Sequence, residues 1–384
     1  MIEFRYILFH LLLAIILFYY GKQISCKSIN SYWKLSFIPI LAFTIEEGLR
    51  WGRNIDWCVY YYVYNDYLQG FSSNHEILFQ AIWKLYALFN LPYPIIIASC
   101  SCLLIFAIFY FAKTYKSVSY ILIPFIVFSC AGTATNLIRW YMGFSFLLIA
   151  IKLYQEEKRT LAILLATCSV CTHIGLIIAV PIFYVLLTYN KVLFKPFAAI
   201  IISILLSVLF DPAIMGKFAF IFDLFKGFDR FDTYASDAAG WLTGEGQNAD
   251  SERRSTISLL IANVPLWAYI FVGYKVSLNL NLAKVYNLML VGIYLKNTAS
   301  GLELMGRYSY LFEPFICVIA SYSILYLIKQ RRTFTNTILL FVSIIYIFRK
   351  LYVFCTPMVH DDFMHYVWDE QLNPYSLINL YRSF

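Results

Sequence analysis

Twelve apolar stretches, approximately 4–20, 34–49, 93–112, 118–133, 137–154, 160–173, 174–189, 196–212, 256–275, 283–299, 307–327 and 334–351, restrict this chain to one kind of fold. Hydrocarbon satisfies no backbone N–H or C=O, so such stretches cross a bilayer as helices. Charged residues make up 14% of the chain, against about 25% in an ordinary soluble domain. Some stretches, notably 160–173 and 174–189, fall short of the ~20 residues that cross a ~30 Å core. The expectation is an all-α polytopic bundle of about twelve spans in a single membrane domain, 1–384, with a cavity opening outward.

Threading the spans sorts the charges. Lys22/Lys27/Lys34, Lys113/Lys116, Lys152/Lys158/Arg159, Lys191/Lys195, Lys275/Lys284 and Lys329/Arg331/Arg332 fall on one side, the cytoplasmic side by the positive-inside rule. Arg50, Arg53, Asp56, Glu76, Arg139, His173 and Arg307 fall on the other. Lysines in loops orient a chain, whereas Arg, Asp, Glu and His at span ends bind or react. The sorting holds only if 76–90 stays outside. There Glu76, Gln80 and Lys84 share a stripe at four-residue spacing, with Ile77, Leu78, Ala81, Ile82, Leu85, Leu88 and Phe89 around the rest. We read 76–90 as a re-entrant or interfacial amphipathic helix within an outer segment, 50–92. Two more outer pieces follow: the long loop 211–255, read either as a partly ordered lid or as a solvated loop, and the tail 352–384.

The net charge of +8 lies in short inter-span loops, with no basic run long enough to track a nucleic-acid backbone, so nucleic acid is not an expected partner. Of the nine cysteines, Cys100, Cys102, Cys130, Cys168, Cys171 and Cys317 sit in or at the ends of apolar runs and read as packing residues. Cys58 and Cys355 could both lie outside and could pair. Cys168-Ser-Val-Cys171-Thr-His173 lacks the adjacent His of a haem attachment and has no second ligand pair. The first stretch lacks a basic n-region and a small-residue cleavage site and is expected to stay.

Four places carry chemistry. Arg50-Trp-Gly-Arg53-Asn-Ile-Asp56, ahead of Tyr60, begins as the second span ends; guanidiniums at headgroup level suit a phosphate or diphosphate, or an Arg–Asp pair merely staples the loop. Asn136-Leu-Ile-Arg139 opens another span, and an arginine one turn inside costs on the order of 1–3 kcal/mol unless it finds a polar cavity, a partner or an anion. His173 joins two spans with almost no loop, as a base or as a hydrogen-bonded structural ring. Glu303-Leu-Met-Gly-Arg307-Tyr-Ser-Tyr310 again sets an arginine among tyrosines. In the tail, His360-Asp-Asp-Phe-Met-His365 follows no metal-ligand spacing. With no Asp-X-Asp, P-loop or dinucleotide fingerprint, neither a metal nor a soluble nucleotide donor is expected, and no cofactor.

Together these residues resemble the EpsG family of Wzy-type polysaccharide polymerases. The likeness rests on Arg50…Asp56…Tyr60, Glu76 opening the next helix, Asn136-Leu-Ile-Arg139, His173, Arg307…Tyr310-Leu-Phe312 and Pro374-Tyr375. Departures are Trp140, where a Gln-like residue is expected, and the doubled Glu46-Glu47. The resemblance implies a glycosyltransferase in the bacterial cytoplasmic membrane that polymerises an oligosaccharide repeat unit carried on undecaprenyl diphosphate, at the outer face. It also implies a flippase and a chain-length regulator as partners, beside membrane lipid. Under it Arg139 and Arg307, with Arg50 or Arg53, would clamp the diphosphate, and Asp56, His173 or Glu76 would take the acceptor proton. Tyr60, Asn136 and Tyr310 would line the glycan or lipid. A flippase of the same lipid, a polyprenyl-phosphate-sugar glycosyltransferase and a polysaccharide ligase are the competing readings.

Overall fold

The computed structural model describes residues 2–53, 55–210, 255–298, 303–356 and 365–369. The loop 211–255, apart from Ser255, and the tail residues His360, Asp361, Asp362, Pro374 and Tyr375 lie outside the described residues. Among the described residues fifteen α-helices run in chain order: α1 Ile2–Cys26, α2 Tyr32–Gly48, α3 Ile55–Leu68, α4 Ile77–Leu88, α5 Tyr93–Ala112, α6 Ser119–Asn136, α7 Ile138–Gln155, α8 Arg159–Thr172, α9 Ala179–Thr188, α10 Pro196–Leu209, α11 Thr256–Asn279, α12 Ala283–Thr298, α13 Glu303–Tyr310, α14 Glu313–Lys329 and α15 Phe334–Cys355. No strand occurs among the described residues, only an isolated antiparallel bridge between Arg50 and Tyr366.

The chain is all-helical, and every expected apolar stretch is helical for most of its length. Among the described residues four helical runs are long and apolar enough to cross a membrane by length and composition alone: Glu3–Cys26, Tyr93–Asn136, Thr256–Asn279 and Phe334–Cys355. The second bends through a 3₁₀ turn at Lys113–Val118, so α5 and α6 are separate helices. Proline starts α5, α10 and α14, where its missing N–H costs nothing. It also sits inside α2, α6 and α11. The stretch 307–327 is divided because Glu313-Pro314 opens a new helix after Leu311 and Phe312.

The residues form two compact units, Met1–Ile182 with Ile347–Phe384, and Phe183–Tyr346. In the first, α2 packs on α5, α1 on α2 and α6, and α7 on α5 and α8. Gly143 sets the α7–α8 approach, since a Cβ there would stand 2.6 Å from Leu176 Cδ1 and 3.1 Å from the Ser169 carbonyl oxygen. An aromatic cluster under the α3–α4 hairpin, built from Trp57, Tyr60, Tyr64, Phe79, Trp83 and Tyr93, is fully or almost fully buried. It is tied to backbone by Tyr64 Oη donating to Leu91 O at 2.5 Å and Tyr93 Oη donating to Trp57 O at 2.8 Å. At 12 residues α4 is too short to cross a bilayer; it buries Phe79 and Trp83 and exposes Ile77, Leu85 and Leu88.

In the second unit α14 packs on α11 and α12, and α10 on the same two helices. A polar node joins three of these helices, with Trp267 Nε1 and Asn297 Nδ2 both donating to Ser203 Oγ, at 2.9 and 2.8 Å. Large apolar side chains stay exposed on α1, α8, α10 and α15, among them Ile15, Ile163, Phe197 and Phe341, the surface expected of helices facing lipid.

Candidate functional site

The apolar run of α2 ends on Glu46 and Glu47. Two carboxylates at a helix C-terminus oppose the helix dipole and, being buried, require cations. The next turn supplies them. Arg50 Nη1 donates to Glu47 Oε2 at 2.6 Å, and Arg53 lies 3.4 Å from Glu46 Oε1 through both Nη1 and Nη2. Gly52, at φ +66°, makes the reversal between the two arginines, a conformation that side-chain-bearing residues rarely adopt. Arg50, Arg53 and Glu47 are 4%, 2% and 2% exposed, so this quartet is a closed ionic knot rather than an open clamp. The Arg53 guanidinium also lies over the Tyr6 and Tyr366 rings, at 4.8 and 4.5 Å. The doubled glutamate that departs from the family pattern is thus the counter-charge of both arginines. His10, Glu46 and Glu47 bring ligand atoms within 4.8 Å of one another. With two guanidiniums already on the carboxylates, the donor set suits an arginine better than a divalent cation.

A more open group forms at the α6–α7 junction. Leu137, at φ −94° and ψ +55°, breaks the helix, leaving Asn136 as the last residue of α6 and Arg139 as the second of α7. Arg139 Nη1 donates to Glu76 Oε2 at 2.6 Å, and the guanidinium stands 5.9 Å from the centre of the Phe79 ring. Glu76 holds the N-cap position of α4, but its side chain makes no cap. Its Oε1 instead accepts the Ile174 N–H at 3.2 Å. Arg139 and Glu76 side chains are 17% and 12% exposed, so this pair reaches solvent where the first knot does not. Asn136 Oδ1 accepts the Asp56 backbone N–H at 3.4 Å, tying the start of α3 to the same junction.

His173 ends α8 in an extended conformation, φ −150° and ψ +107°. Its Nδ1 accepts the Gly175 N–H at 3.2 Å, and Trp140 meets its ring edge-on at 4.9 Å. A nitrogen that accepts a backbone N–H carries no proton, so the neutral ring holds its hydrogen on Nε2. Trp140 packs edge-on against this ring. Glu76 has both oxygens engaged. Asp56, half-buried, is the second residue of α3 beside this junction.

The structure therefore joins Asp56, Asn136, Glu76, Arg139 and the His173 turn through successive contacts. Tyr60 belongs to the aromatic core, 5% exposed, against His75, Phe79 and Trp83. Gln80 Nε2 bonds the His75 carbonyl and Lys84 stands over the Tyr67 ring, so these two members of the stripe are spent on the α3–α4 hairpin while Glu76 turns to Arg139. Arg307 and Tyr310 lie on α13, both half-buried, in the second unit. Cys58 and Cys355 are free and buried, and burial pushes the Cys58 thiol up to about 12. Among the ion pairs that escape the sequence reading, two left a signal in it. Glu47–Arg50 has the i,i+3 spacing that could have revealed it. In the second unit, Lys296 Nζ donates to Glu313 Oε1 at 2.7 Å and to Tyr346 Oη at 3.2 Å, and the signal for it is a lysine at the wrong end of a span.

No curated protein and no solved structure matches the chain. A family model does: that of the EpsG family aligns with residues 31–375, which takes in both arginine motifs, Glu76, the α6–α7 junction and α13. Such a match suggests a membrane protein of polysaccharide-polymerase type. Covering most of the chain, it establishes that this protein belongs to the EpsG family.

Proposed function

We propose that the protein is a glycosyltransferase that polymerises undecaprenyl-diphosphate-linked oligosaccharide repeat units at the outer face of the bacterial cytoplasmic membrane. The observation that carries this reading is the Arg139–Glu76 pair, part-exposed at a helix junction that also holds Asp56, Asn136 and the His173 turn. The reading keeps about twelve spans and a cavity opening outward.

Diphosphate is already a good leaving group, so the protein needs a cation for the departing charge and a base for the acceptor. The acceptor hydroxyl of one lipid-linked unit attacks the anomeric carbon of the growing chain. The new C–O bond forms as the anomeric carbon–diphosphate bond breaks. The electron pair leaves on the diphosphate oxygen, facing Arg139, and the hydroxyl proton passes to Asp56. Before substrate arrives, Glu76 neutralises Arg139. As the diphosphate approaches, its oxygens replace the carboxylate on the guanidinium, which binds phosphate in a planar, two-pronged geometry lysine cannot supply. His173 donates through Nε2 to a substrate oxygen. Arg50 and Arg53 serve the site by holding the loop ahead of α3. A guanidinium in this role makes the reaction independent of a metal.

The test is reconstitution of the purified protein in liposomes with the lipid-linked oligosaccharide extracted from a strain lacking this gene. A ladder of longer lipid-linked glycans supports the polymerase. Movement of the lipid between leaflets without elongation would replace it with the flippase reading.

A further inference from the structure

Residues 365–369 return to the loop between α2 and α3 and bind it from three directions. Along the backbone, the Trp51 N–H donates to the His365 carbonyl and the Val367 N–H to the Leu49 carbonyl, both at 2.9 Å, around the Arg50–Tyr366 bridge. By side chain, Tyr366, 1% exposed, donates its hydroxyl to Glu46 Oε1 at 2.8 Å and places its ring 4.5 Å beneath the Arg53 guanidinium. The segment itself is then pinned to α1. Asp369 Oδ2 accepts the Tyr366 N–H at 2.8 Å and pairs with Arg5, whose guanidinium lies over the Tyr366 and Trp368 rings at 5.5 and 5.8 Å. The Tyr366 ring also stacks on Trp368 and meets Phe9 edge-on.

We infer that this C-terminal segment is a latch whose Tyr366 and Asp369 are positioning residues for Asp56, an inference that rests on reading Asp56 as the base. The loop held by the latch, Leu49 to Arg53, precedes α3 in the chain, where Asp56 is the second residue. An extended backbone pairing in an otherwise helical protein is a rigid, directional tie. The buried phenol adds a second tie through Glu46 and Arg53. The strap holds the arginine loop and thereby the direction from which α3 starts. A carboxylate acting as base must sit within hydrogen-bond reach of the acceptor hydroxyl, and a displacement of the order of 1 Å is costly to turnover while leaving substrate binding at Arg139 intact.

The test uses the full-length protein in liposomes with the lipid-linked oligosaccharide extracted from a strain lacking this gene. Wild type is compared with Tyr366→Phe, Asp369→Asn, the exchange Arg5→Asp with Asp369→Arg, and Asp56→Asn. Elongation is resolved into kcat and KM, and amide exchange is followed over 49–58. The latch predicts kcat falling about tenfold in Tyr366→Phe and Asp369→Asn with KM within about twofold. It also predicts faster exchange at the Trp51 amide in both, and recovery of kcat in the charge exchange. Wild-type kcat in both single variants, with Asp56→Asn inactive, overturns the latch while sparing the base. Wild-type kcat in Asp56→Asn overturns the reading of Asp56 and the latch with it. Should Tyr366→Phe fail to fold, Asp369→Asn and the charge exchange decide the matter on the same readouts.

Discussion

Arg139 Nη1 donates to Glu76 Oε2 at 2.6 Å while the other oxygen of that carboxylate accepts the Ile174 N–H at 3.2 Å, so one anionic group is held at two points by a cation and a backbone donor. A phosphate oxygen pair can take over both contacts. Competition between Glu76 and substrate follows directly. Glu76→Gln removes the competing charge and is expected to lower KM by about three- to tenfold without raising kcat, whereas Arg139→Lys loses about a hundredfold in kcat/KM. Steady-state elongation with each variant measures both.

The Gly175 N–H on His173 Nδ1, at 3.2 Å, fixes which nitrogen is bare. A ¹⁵N spectrum of histidine-labelled protein at neutral pH is expected to show His173 with an unprotonated Nδ1 and a protonated Nε2. Gly175→Ala would crowd that ring, because a Cβ there meets His173 Nδ1 and Cε1 at 3.1 Å and Trp140 at 3.2 Å. The His173 signal should shift in that variant.

At the end of α7, Glu156 accepts from Lys158 Nζ at 2.8 Å and pairs with Lys152 Nζ at 3.0 Å. The Lys158 hydrogen bond, outweighing burial and helped by Lys152, lowers the Glu156 carboxyl from 4.5 to about 2. A carboxylate depressed on folding stabilises the fold above its unfolded value and loses that contribution as pH falls through the folded one. Thermal midpoints in detergent should therefore fall between pH 4.5 and about 2 in wild type. Glu156→Gln should start lower at pH 7 and show a shallower fall over the same window.

In the second unit, Glu313 is 2% exposed and Lys296 supplies its cation from α12. Removing one partner strands the other, so Lys296→Met is expected to destabilise by about 3 kcal/mol, and Lys296→Met with Glu313→Gln by distinctly less. Thermal unfolding of wild type, Lys296→Met, Glu313→Gln and the double variant gives the coupling. Additive losses would show that the pair is not coupled.

The helices were legible because apolar runs bounded by charge and proline leave a bilayer chain no other structure; 93–112 coincides with Tyr93–Ala112. What local sequence partly hid was where helices break. Glu313-Pro314, opening α14, interrupts the stretch 307–327, which reads as continuous, whereas the break at His173 is legible between 160–173 and 174–189. At the site, Glu76, Arg139 and Asp56 each stand out by type and by span-end position, yet Glu76 and Arg139 are 63 residues apart and their pairing is a product of packing. Arg50 and Arg53 read either as a phosphate clamp or as a loop staple. Their burial involves Tyr366, more than 300 residues away from Glu46, which no local pattern connects.

The most direct test of the account is elongation of the extracted lipid-linked oligosaccharide in liposomes by wild type, Arg139→Ala and Asp56→Asn, each checked for folding by size exclusion. The account predicts a glycan ladder from wild type, and from the two variants a loss of at least about a hundredfold in kcat/KM. A full ladder from folded Arg139→Ala would contradict it.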